Sequence, residues 1–115
     1  YAGRLYDYHR QRPELIRLLC WEALTFDDEV PEEELRREHY QRKIAGVRSG
    51  QDVGVLTRDV DPGALMLMLM SLTGWWSTVP QVARMLCGPL DDEEAHERQR
   101  AVVVDAARRL AAPRD

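Results

Sequence analysis

Apolar residues recur along the chain at helical spacing, and prolines and glycines divide them into segments. The opening run YAGRLYDYHRQR carries Leu5, Tyr6, Tyr8 and His9 and stops before Pro13, because the residue ahead of a proline is driven out of the helical region. PELIRLLCWEALTF then restarts, with Pro13 in the first turn and Glu14 at the positive end of the dipole. Its apolar set of Leu15, Ile16, Leu18, Leu19, Trp21, Leu24 and Phe26 covers more than half the circumference, which predicts a largely internal helix. FDDEVP reads as a loop. A third helix opens at Pro31, acidic at its start and basic towards its end, with a thinner stripe of Leu35, Tyr40, Ile44 and Val47. Gly50 is expected to stop it, and Gly54 to make a turn. Val53, Val55 and Leu56 are too few to build a sheet.

Asp61-Pro62 predicts the next helix start, aspartate as cap and proline in the first turn. That helix runs towards Pro80, which either kinks it or splits off QVARMLCG, ended by Gly88-Pro89. Asp91 and Glu94 have capping-box spacing ahead of the last helix, DDEEAHERQRAVVVDAARRLAA. The pattern predicts an all-α fold of five to six helices.

Within it, ALMLMLMSLTGWW is apolar on every face. Alternation marks a strand only when one parity is polar, and here both Leu and Met are apolar. The run is also too short to cross a bilayer and is interrupted by Ser71, Thr73 and Gly74. A helix apolar all round must be covered all round, and a small domain covers only part of it. A second subunit is the simplest cover for the rest. In the last helix, Gln99, Val102, Val103, Ala106 and Leu110 follow three-and-four spacing, beside the small Ala95, Ala101, Ala107 and Ala111. Such a face suits a symmetric bundle, though packing within one subunit also accounts for it.

The methionines admit two readings: ordinary core, or the adaptable wall of a ligand cavity among helices. On the second, a small, largely apolar molecule sits between the second, third and fourth helices. Trp21, Phe26, Met66 and Met70 line that site, with Tyr6 and Tyr40 as polar contacts. The expected association face is Leu72, Trp76, Val79, Val103, Ala106 and Leu110. Trp75 and Trp76 point to different sides because adjacent helical residues are about 100° apart.

Composition narrows the function. The chain has 115 residues, 44% hydrophobic and 31% charged, a balance that fits one globular domain rather than a disordered or membrane protein. Its net charge is -4 and no Lys/Arg cluster dominates a segment, so the chain itself lacks the basic face that grips a phosphate backbone. Cys20 and Cys87 lack CxxC spacing and read as buried free thiols in a cytoplasmic protein, or else as a disulfide. There is no phosphate loop and no nucleophile elbow, and Glu93 with His96 gives a single ExxH where a di-iron bundle needs two. No catalytic residue, metal or cofactor is expected. The chain opens at Tyr1 amid a helical pattern with no initiator Met, so a preceding segment is expected.

RPELIRLLCWEAL, then AGVRSGQDVGVLTRDVDPGALMLMLMSLTGW and a long last helix, resembles the C-terminal regulatory domain of TetR-family transcriptional regulators. The order that carries the likeness is a helix ending near Gly50, a loop with Gly54, and Arg58-Asp59-Val60-Asp61-Pro62 opening an apolar helix. It covers essentially the whole of 1–115, as one domain. The resemblance implies a homodimer joined in a four-helix bundle and an effector pocket in each subunit. It also implies an N-terminal helix-turn-helix domain, absent from this chain, through which DNA is bound and released. A helical dimerisation module with a filled core and no ligand is the alternative.

Overall fold

The structure, a computed structural model, describes residues 1–26 and 29–114. Six helices follow one another: α1 (Ala2–Gln11), α2 (Pro13–Thr25), α3 (Glu33–Asp52), α4 (Pro62–Thr78), α5 (Pro80–Cys87) and α6 (Glu93–Ala111). Among the described residues there is no strand. Of the loop expected over 26–31, residues 27 and 28 lie outside the described residues.

Several helix ends follow the local sequence. The Asp61 side chain accepts from the Ala64 backbone N–H at 3.0 Å, with Pro62 in the first turn. Pro80 splits its helix: α4 ends at Thr78, Val79 leaves helical geometry, and α5 begins at the proline itself. Three boundaries differ from expectation. The third helix starts at Glu33 rather than Pro31, after Glu32 turns through a left-handed conformation, φ 54°. Gly50 does not end it; the helix runs on to Asp52, and Gly54 takes the left-handed turn at φ 84°. Gly50 is needed for closeness instead, since a Cβ there would lie 2.6 Å from Leu56 Cδ1. The cap of α6 is Asp92, not Asp91. Extended backbone at Asp92 aims its carboxylate at the Ala95 N–H, 2.7 Å away, and with Ala95 in the third helical position no capping box forms.

The α3–α4 loop is tied at both ends. The N–H groups of Val55 and Leu56 both donate to the Gly50 carbonyl. Buried Gln51 donates from Nε2 to the carbonyls of Thr57 (3.0 Å) and Val60 (2.8 Å). Arg58 reaches back to the Gln51 and Asp52 carbonyls, placing a cation on groups that the end of α3 leaves unpaired. Thr57 donates its N–H to the Ala111 carbonyl at 2.8 Å and closes the end of α6 in the same way.

Helix α4 is the hub, packed against α1, α2, α3, α5 and α6. Its Leu65, Met66 and Leu69 join Val47 of α3 and Ala107 of α6 in the buried core. Gly3 lets Arg100 cross α1 to reach Asp7 at 3.0 Å; a Cβ at Gly3 would lie 2.5 Å from the guanidinium. Arg10 pairs with Glu93 beside it, so two ion pairs join α1 to α6.

The layer is thin. Its extents are 40 × 40 × 19 Å and its radius of gyration 15.5 Å, against about 13 Å for a compact chain of this length. It exposes 8449 Å², whereas a compact 13.3 kDa monomer exposes roughly 6,500 Å². Thinness explains a departure in α2, expected to be internal. Packed against α1 and α4 and joined to α3 through the Glu22–Arg36 ion pair, it buries Ile16 alone and leaves Leu18, Trp21 and Leu24 exposed. Both cysteines are free, Cys20 half-buried and Cys87 exposed rather than buried.

Candidate functional site

A cavity of about 740 Å³ opens between the start of α1, the second half of α3, the first half of α4 and the end of α6. Val47 of α3 and Met66 and Leu69 of α4 form its wall on one side, Val104, Ala107 and Ala111 of α6 on another. Leu56 from the tied α3–α4 loop and Ala2 from α1 complete it. Space remains because the residues facing it are small: a Cβ on Gly46 would meet nothing within 4 Å. Its size is that of a small-molecule site, and its walls are mostly apolar. Among the described residues the charged side chains lining it are Lys43 and Arg108. Tyr1 donates from its hydroxyl to Met66 Sδ at 3.7 Å at the edge.

Two further cavities are more polar. One of about 670 Å³ between α1 and α6 holds Tyr6, Asp7, Arg10, Glu93, His96 and Arg100. The other, about 440 Å³, lies at the α4–α5 junction and includes Tyr6, Arg17, Trp76 and His96. Burial pushes the Tyr6 hydroxyl above its ordinary pKa; Arg10 opposes that rise and Asp7 adds to it. His9 lies between α1 and α4 with 6% exposure, and its Nδ1 has no hydrogen-bond partner. Burial first, and then the Lys43 ammonium, hold its pKa below 6.5. Among the described residues no group of three or more His, Cys, Asp or Glu is placed to hold a metal ion.

The six residues expected around a ligand do not converge. Met66 lines the large apolar cavity and Tyr6 the two polar ones, while Met70 is half-buried against the core. Trp21 and Phe26 stack edge to face at 5.6 Å on the outer side of α2, with Trp21 exposed. Tyr40 is half-buried on α3, beside the Arg36–Glu22 ion pair (2.9 Å) that bridges α2 and α3. The cavity therefore involves α1 and α6 rather than α2. Lys43, Gly46, Leu56, Val104, Ala107 and Arg108 were not expected there. Ala107 and Ala111 read from sequence as a close helix–helix contact; here they leave the space empty.

Of the expected association face, Leu72 and Leu110 are half-buried, packed on the core from α4 and α6. Val79 and Ala106 are also half-buried. Val103 is 3% exposed and faces inward, so it has no surface to offer a partner. Trp76 turns to the α4–α5 cavity, and it is Trp75, 61% exposed, that stands outward. On α4 the exposed Ala64, Met68, Ser71 and Trp75 share one face at three-and-four spacing, and on α6 Val102 is exposed beside Gln99 and Ala106. No helix among the described residues is long and apolar enough to cross a membrane.

Comparison with known proteins gives a consistent result. The family model described as tetracyclin repressor-like, C-terminal domain, matches residues 1–109. The chain is 42% identical over 111 residues to the HTH-type transcriptional repressor SCO4008 of Streptomyces coelicolor, spanning 96% of the chain and 57% of that relative. The crystal structure of SCO4942, a proposed transcriptional regulator from Streptomyces coelicolor, superposes with a TM-score of 0.77 at 23% identity. That likeness covers 96% of this chain and 57% of the other, and it shows the fold.

Proposed function

Since the chain belongs to the tetracyclin repressor-like C-terminal domain family of TetR regulators, we propose that residues 1–115 are the effector-sensing and dimerisation domain of a cytoplasmic transcriptional repressor. The observation that carries this reading is the apolar cavity of about 740 Å³ next to a chain that exposes far more surface than its mass requires. A small, mostly apolar effector enters between α1, α3, α4 and α6. Two copies associate through the outer faces of α4 and α6 in a four-helix bundle. Operator binding belongs to a helix-turn-helix outside residues 1–115; the chain spans only 57% of the repressor it resembles.

The cavity's position suggests how binding is read out. It reaches the first residues of α1, and α1 is held to α6 by the Arg100–Asp7 and Arg10–Glu93 ion pairs. An occupant that favours one placement of α1 shifts the protein towards it by the difference in affinity for the two placements, typically about 1–3 kcal/mol. We assign the chain no reaction.

Thermal unfolding against a panel of apolar compounds tests the sensor. An effector present at roughly 100 times its Kd adds about 2.7 kcal/mol, on the order of 10 °C in Tm for a domain of this size. Gly46→Leu, which places a side chain in the cavity, removes the shift. A panel with no hit, together with an unaltered dimer, identifies the chain as a dimerisation module alone.

A further inference from the structure

We propose that the α1/α3/α4/α6 cavity takes an amphipathic organic anion, its apolar body against Met66, Leu69 and Ala107 and its acid group met by Lys43 and Arg108. The inference rests on the reading of this cavity as the effector site and adds the charge class of the effector.

Among the described residues no Asp or Glu lines the cavity, although the chain carries 20 acidic residues against 16 basic ones. The two cations come from different helices, Lys43 from the middle of α3 and Arg108 from the last turn of α6. Neither forms an ion pair among the described residues; Arg4, Arg12, Arg17, Arg42, Arg48, Arg58 and Arg84 form none either, but all of those are exposed whereas Lys43 is half-buried. Arg108 is accounted for in part by the negative end of α6. Lys43 has no such explanation: it sits nine residues before the end of its helix and is half-buried. It lines the cavity from α3, and its charge adds to the burial that holds the His9 pKa down.

Any occupant expels water from around Lys43. A neutral occupant leaves the ammonium desolvated and unpaired, a costly state. A cationic occupant adds repulsion. An organic acid replaces the lost hydration with a charge-assisted hydrogen bond, and Arg108 offers a forked donor set for the same carboxylate.

The test uses three fluorescent probes with one apolar body and different heads, pyrenebutyrate, pyrenebutanol and pyrenebutylammonium, titrated into the 115-residue chain at neutral pH. Pyrenebutyrate binds at least about tenfold more tightly than the alcohol, and the ammonium more weakly than either, the separation of one charge-assisted contact. Lys43→Met removes that preference by weakening the acid and tightening the alcohol, which no longer desolvates an ammonium; Lys43→Arg restores it, and Arg108→Met diminishes it. Circular dichroism of each variant confirms the fold. In NMR titrations the His9 imidazole pKa rises when pyrenebutyrate occupies the cavity and stays put with pyrenebutanol. Equal binding of acid and alcohol, tighter binding of the ammonium, or indifference of the acid to Lys43→Met overturns the inference and leaves the sensor reading standing. Failure of all three probes, with no thermal shift from any apolar compound, overturns both.

Discussion

Trp75→Ala tests the association face. Trp75 lies on α4 with 61% of its surface exposed, about 150 Å² on a side chain of roughly 250 Å². Truncation to alanine removes some two-thirds of that, about 100 Å², or about 2.5 kcal/mol at 25 cal/mol per Å² if the ring is wholly covered in the dimer. A two-fold interface counts the change twice, and incomplete burial brings the sum back to about 2–3 kcal/mol. The dimer dissociation constant therefore rises by roughly 30- to 150-fold. Sedimentation equilibrium across the micromolar range reads this directly. Leu24→Ala is the control, since Leu24 is 87% exposed but sits on α2, away from the proposed face. A wild-type chain that sediments as a monomer refutes the reasoning, as does an equal response to the two substitutions.

Three further outcomes follow from the same geometry. Gly46→Ala raises stability by about 0.5–1 kcal/mol, because alanine is the better helix former and its Cβ meets nothing within 4 Å; a lower urea midpoint would show that the position is strained. Asp92→Ala costs about 1 kcal/mol through loss of the bond to the Ala95 N–H while Asp91→Ala changes little, and paired denaturation curves separate them. For His9 the folded pKa lies below the unfolded value of 6.5, so the unfolded chain takes up a proton first as pH falls. Stability from neutral His9 is present above about pH 6.5 and declines on acidification below it. Urea titrations from pH 8 to pH 5 should show this slope, reduced in His9→Gln.

Much of the fold was legible because its signals are local. Asp61-Pro62 caps and starts α4 through a contact three residues long, and Pro80 breaks the chain because its own ring clashes with the preceding turn. Where two local signals compete, sequence falls short. Asp91 and Asp92 are both capping residues, and backbone geometry selects the second. Gly50 reads as a stop and Gly54 as a turn residue, and only the approach of Leu56 shows that Gly50 is there for closeness. The candidate site was harder to read. Aromatic content drew attention to Trp21 and Phe26, which lie on an outer surface, while the cavity is made by absences, Gly46 and the alanines of α6, together with two cations from distant helices.

The sequence by itself determined an all-α chain, the order of its helices, the excess of apolar surface on α4 and the family likeness, since these depend on residues a turn or less apart. Tertiary structure alone decided that α1 and α6 wall the cavity, that Trp75 rather than Trp76 faces outward, and that Val103 is internal. Those outcomes depend on contacts between residues remote in sequence, such as Arg100 with Asp7 and the Thr57 N–H with the Ala111 carbonyl. Helical periodicity says which residues share a face; only the neighbours say what that face meets.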